Sequence, residues 1–400
     1  MEKVAKAKVT IIGAGPVGLA SAHYLRASGM KAADIILVDR HKVAERTAAI
    51  PAPGNIAPDL DSTLGKNSDF DSRSGYMRSR QLYEELPDSA KAKIELVPNR
   101  IVELVGSQFT LDDLTKRYSA HGFSYEVLTP AQLHELEPSI STDACFAALL
   151  LGGEINGHVN PVKLVNYLAE DSIANGTRIV QDANITGIAR NGDGFVVNTN
   201  AGVSIDTEYV VNAAGISIPK VSALLDPKYG DIGIIGVKGH GVRFAPLPGL
   251  NLGIDLLTKS GSIVQYNSGE IIIGGGQTNL LRRENHKWSE NWDVEQKDVD
   301  TLIDEARTTL PALKSAKVRS VTIGFRAVTF TQQAIIGRLD RSNFILAGGL
   351  YRTGITNCLG AGEQVAEIVR GERPGRAITG DPMRFYVNRP DWVEPSFMHL

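Results

Sequence analysis

Val9-Thr10-Ile11-Ile12-Gly13-Ala14-Gly15-Pro16-Val17-Gly18 is the stretch that decides the fold. Four β-forming residues run into three glycines, and Leu19–Ser28, a good helix former, follows. A second apolar strand, Ile35-Ile36-Leu37-Val38, then ends at Asp39. Strand, turn, helix and strand within about 30 residues is the setting a dinucleotide-binding turn requires. Gly13 permits the tight turn, Gly15 lets the backbone approach a pyrophosphate, and Gly18 allows close helix packing. The N-terminus of the helix then faces the anion. Asp39 stands where a carboxylate accepts hydrogen bonds from an adenosine ribose, and its charge disfavours the 2′-phosphate of NADP. This unit binds only the ADP portion that FAD and NAD share.

Other classes are excluded by composition. A chain of 400 residues is long enough for two domains. Its 42 Lys and Arg against 45 Asp and Glu leave a net charge of -3, so no basic field exists for nucleic acid. The two cysteines, Cys145 and Cys358, form neither a disulfide framework nor a metal site, and no metal is expected. The apolar runs Cys145–Leu151 and Ile232–Val237 fall short of the roughly 18 residues of a membrane span. Met1–Lys8 is short and charged, so no secretory leader and a cytoplasmic location are expected. Without a Gly-x-Ser-x-Gly elbow, a serine hydrolase is rejected.

Two further glycine clusters separate the dinucleotides. Tyr209–Asn212 closes on Ala213-Ala214-Gly215, and Phe344–Ala347 closes on Gly348-Gly349 before a helix at Gly354–Val369. If these strands share a sheet with Val9–Ile12, their ends converge on one extended ligand. The partial positive charge of the last helix would stabilise a reduced isoalloxazine, whereas a nicotinamide gains nothing comparable. Ile173–Thr199 and the strand after it read as a small antiparallel insert, with turns at residues 191–194 and 201–202. Ile232–Gly276 reads as a separate antiparallel sheet, covered by an amphipathic helix at Val294–Leu310.

The chain at this point resembles the D-amino acid oxidase superfamily, in its glycine oxidase and sarcosine oxidase branch. The likeness rests on the fingerprint with Asp39-Arg40, on Gly157-His158-Val159-Asn160-Pro161, and on residues 210–215. Lys238-Gly239, Gly324-Phe325-Arg326, Ala334-Ile335-Ile336-Gly337 and Gly349-Leu350-Tyr351-Arg352-Thr353-Gly354-Ile355 complete it. The resemblance implies an α/β fold in which a Rossmann-like FAD-binding domain is interleaved with an antiparallel-sheet α+β substrate domain. The expected division is 1–90, 150–225 and 320–374 for FAD, and 91–149 and 226–319 for substrate. A tail, 375–400, is expected to wrap the surface.

The resemblance also implies the chemistry: oxidation of a carbon–nitrogen bond beside a carboxylate by hydride transfer to FAD, giving an imine that hydrolyses in water. Arg326 and Arg352 match the two arginines that hold the carboxylate, a task suited to a bidentate guanidinium. Positions implied to line the cofactor are Gly13, Ala14, Gly15, Pro16, Val17, Gly18, Asp39, Arg40, Thr47, Ala49, Pro53, Gly54, Asn55, Ile185, Ala213, Ala214, Gly215 and Gly324. Gly349, Leu350, Tyr351, Thr353, Gly354, Ile355 and Thr356 continue it beside the arginines. Tyr266 stands near the position of a tyrosine that assists carboxylate binding, which aligns with Ser262. His240 is a candidate base in the pocket, with a structural histidine as the alternative. No cysteine stands near Phe325, the covalent attachment point of sarcosine oxidases, so non-covalent FAD is expected. Ile272 falls where those enzymes carry the lysine that promotes reaction with oxygen.

The expected partners are a small amine bearing a carboxylate, and O2 or another electron acceptor. Alternatives are 2-hydroxy acid oxidation, which needs a base and gives His240 weight, and a flavin subunit of a multi-subunit amine dehydrogenase. A charged segment, Arg282–His286, flanked by Trp288 and Trp292, is a candidate lid.

Overall fold

The computed structural model describes residues 3–57, 72–120, 122–152, 156–276, 283–284, 287–288, 290–329, 332–372 and 379–380. The opening strand, Lys3–Ile12, buries Val9 and Ile11 in one apolar core and Ile12 in another. A strand covered on both faces belongs in the middle of a parallel sheet. It pairs in parallel with Ile35–Val38 on one side and Val203–Asn212 on the other. Arg178–Val180 and Phe344–Gly348 extend these neighbours, again in parallel. Strands from three remote parts of the chain therefore lie side by side, with their glycine-rich carboxyl ends at one edge. The hairpin Ile185–Asn191 and Gly194–Thr199 adds antiparallel to Val203–Asn212, as the expected insert does. Residue 173, read as the start of that insert, belongs instead to the helix Pro161–Ala174.

Helix Pro16–Ala27 starts with Pro at its first position, where the missing N–H costs nothing. It packs on the sheet against Gly354–Val369, and both helices contribute to the same apolar core.

The second sheet runs Val318–Thr329, Ile234–Phe244, Ile271–Gly275, Gly261–Gln265, Ile254–Leu257, Arg100–Val105, Ala147–Leu151 and Tyr125–Leu128. It is antiparallel except where Ile254–Leu257 meets Arg100–Val105 in parallel. One face is apolar and is covered by helix Gln296–Thr309, which presents Val299, Leu302 and Ala306 to it. The opposite face is stripped of side chains at Gly241, Gly274 and Gly324. A Cβ there would lie 2.5–2.8 Å from Pro51 or Pro53, so the loop between Ala48 and Pro53 rests directly on the strands. The expected boundary at residue 320 cuts Val318–Thr329, which pairs along its length with Ile234–Phe244 and so belongs to this sheet.

Of the candidate lid, only the backbone pair Arg283–Glu284 with Lys287–Trp288 is described, and the rest of Arg282–His286 lies outside the described residues. The tail after Pro374 likewise lies outside them, except for Thr379–Gly380, which pairs with Ala334–Ile335. No helix among the described residues is long and apolar enough to cross a membrane.

Candidate functional site

The aligned carboxyl ends of the first sheet open into a cleft of about 320 Å³ that reaches across to the strand Val318–Thr329. At one end, Gly13 has φ +105, and a Cβ on it would stand 2.5 Å from the Ala213 carbonyl oxygen. Only glycine holds that turn without strain. Gly18 lies outside the lining and backs onto the Gly13 carbonyl, where a Cβ would overlap it, so its role is helix packing. Gly15 caps helix Pro16–Ala27 without a side-chain bond, and no acidic residue stands in the first turn. Its first-turn N–H groups thus keep their capacity for an anion.

The Asp39 carboxylate is held rigidly: Oδ2 accepts from the Ala14 N–H at 2.7 Å and Oδ1 from the His41 N–H at 2.8 Å. Each carboxylate oxygen has a second lone pair, so both can still accept from a ribose. Ala14 contributes through this bond and not by lining the cleft.

At the far end stand the two arginines. Arg326 is half-buried on Val318–Thr329 and bends over Gly239, whose missing Cβ leaves room for the guanidinium. Its Nη1 donates to the Gly276 carbonyl at 2.8 Å and its Nη2 to the Gly275 carbonyl at 3.2 Å. These bonds fix its plane without neutralising its charge. Burial, together with the nearby Arg352, lowers its pKa to about 10. Arg352 is exposed and lines the cleft directly after Tyr351, which adopts φ +48. A positive φ in a non-glycine residue at a ligand-facing turn is stored strain. The turn is pinned by the Tyr351 N–H, which donates to the Ala327 carbonyl at 2.8 Å.

Helix Gly354–Val369 begins beside the arginines. The Thr353 hydroxyl donates backwards to the Leu350 carbonyl at 2.8 Å instead of capping the helix, and Gly354 and Ile355 line the cleft. The first turn is therefore available to a developing negative charge.

Most of the residues expected along the cofactor do line this cleft, from Gly13, Gly15, Pro16 and Val17 through Thr47, Ala49 and Ile185 to Ala213-Ala214-Gly215 and 349–352. Pro53, Gly54, Asn55, Gly324, Thr353 and Thr356 do not. Two of them are tied to each other: Asn55 accepts from the Ser262 hydroxyl, and the Thr356 hydroxyl donates to the Asn55 carbonyl at 3.4 Å.

Tyr266 and His240 do not line the cleft either. The Tyr266 hydroxyl donates to the Pro53 carbonyl at 2.9 Å, and burial raises its pKa, so the residue holds the loop under the cleft and not a substrate. His240 is fully buried, and its Nε2 accepts from the Glu295 N–H at 3.1 Å at the start of helix Gln296–Thr309. Burial lowers its pKa, and this position fits a structural histidine and removes it from the candidate bases.

Sequence reasoning missed Arg46, Ser217 and Lys220, which line the cleft, and did not place Trp292 there. Arg46 and Lys220 carried no local motif; only their charge, seven residues beyond Asp39 and five beyond Gly215, could have drawn attention. It also missed a pair that joins the helix Gln108–Ala120 to the strand Arg100–Val105 of the second sheet. The Tyr118 hydroxyl donates to Glu103, whose carboxyl is raised by burial and lies within the field of Arg352.

The lining fits FAD. Arg46, Lys220, Arg326 and Arg352 face the cleft, Arg40 does so paired with Glu290, and Asp39 is the one carboxylate among the described lining residues, a balance suited to a pyrophosphate and a further anion. No cysteine is among the lining residues.

Comparison with known proteins agrees with this geometry. The family model described as "FAD dependent oxidoreductase" (DAO) matches residues 8–368. Human mitochondrial sarcosine dehydrogenase is 22% identical over 97% of this chain and 42% of its own length. Glycine oxidase of Bacillus licheniformis is 24% identical over 90% of this chain and 92% of its own. The solved glycine oxidase from Geobacillus kaustophilus superposes with a TM-score of 0.81 at 22% identity, covering 96% of this chain and 99% of that one. The chain thus spans less than half the length of the sarcosine dehydrogenase, but nearly the whole of the glycine oxidases.

Proposed function

Because the chain belongs to the DAO family of FAD dependent oxidoreductases, we propose that it oxidises the carbon–nitrogen bond of an amino acid or N-substituted amino acid whose carboxylate is held by Arg326 and Arg352. The observation that carries this reading is the placement of both guanidinium groups on the cleft wall beside the N-terminus of helix Gly354–Val369. The names of the relatives, sarcosine dehydrogenase and glycine oxidase, support small N-methyl or free amino acids as the class.

When bound, FAD supplies the two-electron acceptor toward which a hydride leaves the substrate α-carbon. Arg326, with its plane set by the Gly275 and Gly276 carbonyls, would neutralise the carboxylate and fix its orientation. Arg352 would close on the other oxygen from the exposed side. Together they would fix the substrate's orientation, so that much of the orientational cost is met on binding. Helix Gly354–Val369 would stabilise the charge that develops beside its first turn.

The amine is favoured over the 2-hydroxy acid by where the histidines stand: His41 lines the cleft, but beside Asp39 at the nucleotide end. A hydroxyl must lose its proton to a base, and His240, the candidate, is outside the lining with Nε2 already accepting. A free amine needs only to be unprotonated, which water can arrange before binding. Ile272 is buried among Val264 and Tyr266, so the chain offers no ammonium at the position implied to promote reaction with oxygen. O2 or another acceptor therefore has to be distinguished by reoxidation in air against an artificial carrier.

The decisive test is anaerobic mixing of the FAD-loaded protein with free amino acids, N-methylamino acids and 2-hydroxy acids. Bleaching of the yellow absorbance by amino or N-methylamino acids alone is the expected result. Bleaching by hydroxy acids alone would overturn the proposal.

A further inference from the structure

We propose that the segment Glu290–Glu295 is a strap that retains FAD in the cleft, with Glu290 and Trp292 as its points of attachment on the nucleotide side. The inference rests on FAD as the ligand of the cleft and assigns a task to residues that the carbon–nitrogen chemistry does not use.

The segment bridges the two sheets. On the nucleotide side, Glu290 meets Arg40 through two parallel bonds, Nη2 to Oε2 at 2.8 Å and Nη1 to Oε1 at 3.1 Å. Ser217 and the Trp292 indole N–H add contacts of 3.4 Å to the same carboxylate. Burial alone would raise the pKa of Glu290, but the Arg40 pair outweighs it and the net shift is downward, so the group is ionised at neutral pH. On the other side, Lys238 donates to the Asp293 carbonyl at 2.9 Å and to Glu295 at 3.1 Å, while the Glu295 N–H donates to His240. Lys238 and His240 are both buried, so this end is bolted into Ile234–Phe244.

Between its ends the strap presents Trp292 to the cleft. The indole packs edge-on against Phe325, with ring centroids 4.8 Å apart, and the Arg46 guanidinium lies 5.3 Å from its centre. Arg40 directly follows Asp39, the expected ribose acceptor, so the ion pair stands at the adenosine end, while Trp292 lines the cleft beside Phe325. In the proposed strap, the Arg40–Glu290 pair parts before a ligand threaded along the cleft is released.

A bidentate Arg–carboxylate pair at half-buried side chains is better placed to contribute than a fully exposed, single-bonded pair. An aromatic wall adds a face for stacking and a handle for the cation beside it.

The test uses the full chain, stripped of FAD and titrated with it, following quenching of flavin and tryptophan fluorescence. Glu290→Gln and Trp292→Ala are each expected to weaken FAD binding at least tenfold and to speed its release on dilution. The thermal midpoint of the FAD-free protein should move by no more than about a degree in Glu290→Gln, which separates retention from a general loss of structure. Arg40→Met should cost about as much as Glu290→Gln, and the double variant no more than the worse single. FAD affinity unchanged within twofold in both strap variants would overturn the proposal. Tighter binding in Glu290→Gln would overturn it too, because Glu290 would then be competing with the phosphates for Arg40. A wild-type chain that takes up no FAD would instead bring down the cofactor reading, and the strap with it.

Discussion

The two ends of the cleft are made of different material. At the nucleotide end the ligand meets backbone: Gly13 at φ +105, free N–H groups at the start of Pro16–Ala27, and one carboxylate tied down by two N–H bonds. The end proposed for the substrate is lined by side chains, with two guanidinium groups delivered by segments that approach only after the chain has folded. The first end is a local device that a few consecutive residues can build. The second depends on register between strands, because Arg326 reaches the Gly275 and Gly276 carbonyls only when Val318–Thr329 and Ile271–Gly275 flank Ile234–Phe244.

This contrast can be broken most severely at Gly13. Gly13→Val places a branched side chain at a positive φ and against the Ala213 carbonyl, and is expected to abolish FAD uptake. Equilibrium dialysis with FAD checks it, and uptake at wild-type affinity would show that the turn does not touch the ligand. The next largest effect is at the other end. Arg326→Met should raise the apparent KM for an amino acid substrate by on the order of 30- to 5,000-fold, from about 2–5 kcal/mol for a broken charged contact. FAD affinity should hold, which separates the two ends. A change below threefold would remove Arg326 from the carboxylate site.

A milder probe is pH. Arg326 is a base whose pKa is lowered to about 10 by burial and Arg352, so its charge is complete below that value and is lost as pH rises through it. KM should therefore stay level from pH 8 to 9 and climb above about 10, once amine ionisation has been accounted for. A rise that begins a unit or more below 9 would assign carboxylate binding to another group. The sign for stability is the reverse: the penalty for burying the cation applies below about 10 and eases above it.

The smallest expected effects lie at the two residues that left the site. Tyr266→Phe removes one bond to Pro53, worth about 0.5–1.5 kcal/mol of stability, measurable by denaturant unfolding. His240→Gln should leave the limbs of the kcat–pH profile where they are. A displaced limb would restore His240 as a base.

How much was legible follows the same division. The opening strand, the glycine turn, Asp39 and the three glycine-ended strands could be read because each is a short run whose spacing carries its own physics. The antiparallel sheet and its covering helix could be read from alternation and helical periodicity. The strand Val318–Thr329 was cut at residue 320 because nothing in its own residues announces which sheet it joins. Tyr266 and His240 looked like pocket residues because residue type shows what a group can do and not which way it faces.

Sequence alone determined the dinucleotide end, since backbone conformation at a turn is governed by nearest neighbours and by the absence of a Cβ. Tertiary structure decided the rest: which arginines meet, which histidine is spent on a helix N-terminus, and that Glu290 lies against Arg40 from 250 residues away. Those outcomes depend on long-range pairing and burial, and neither is a property of any short run of residues.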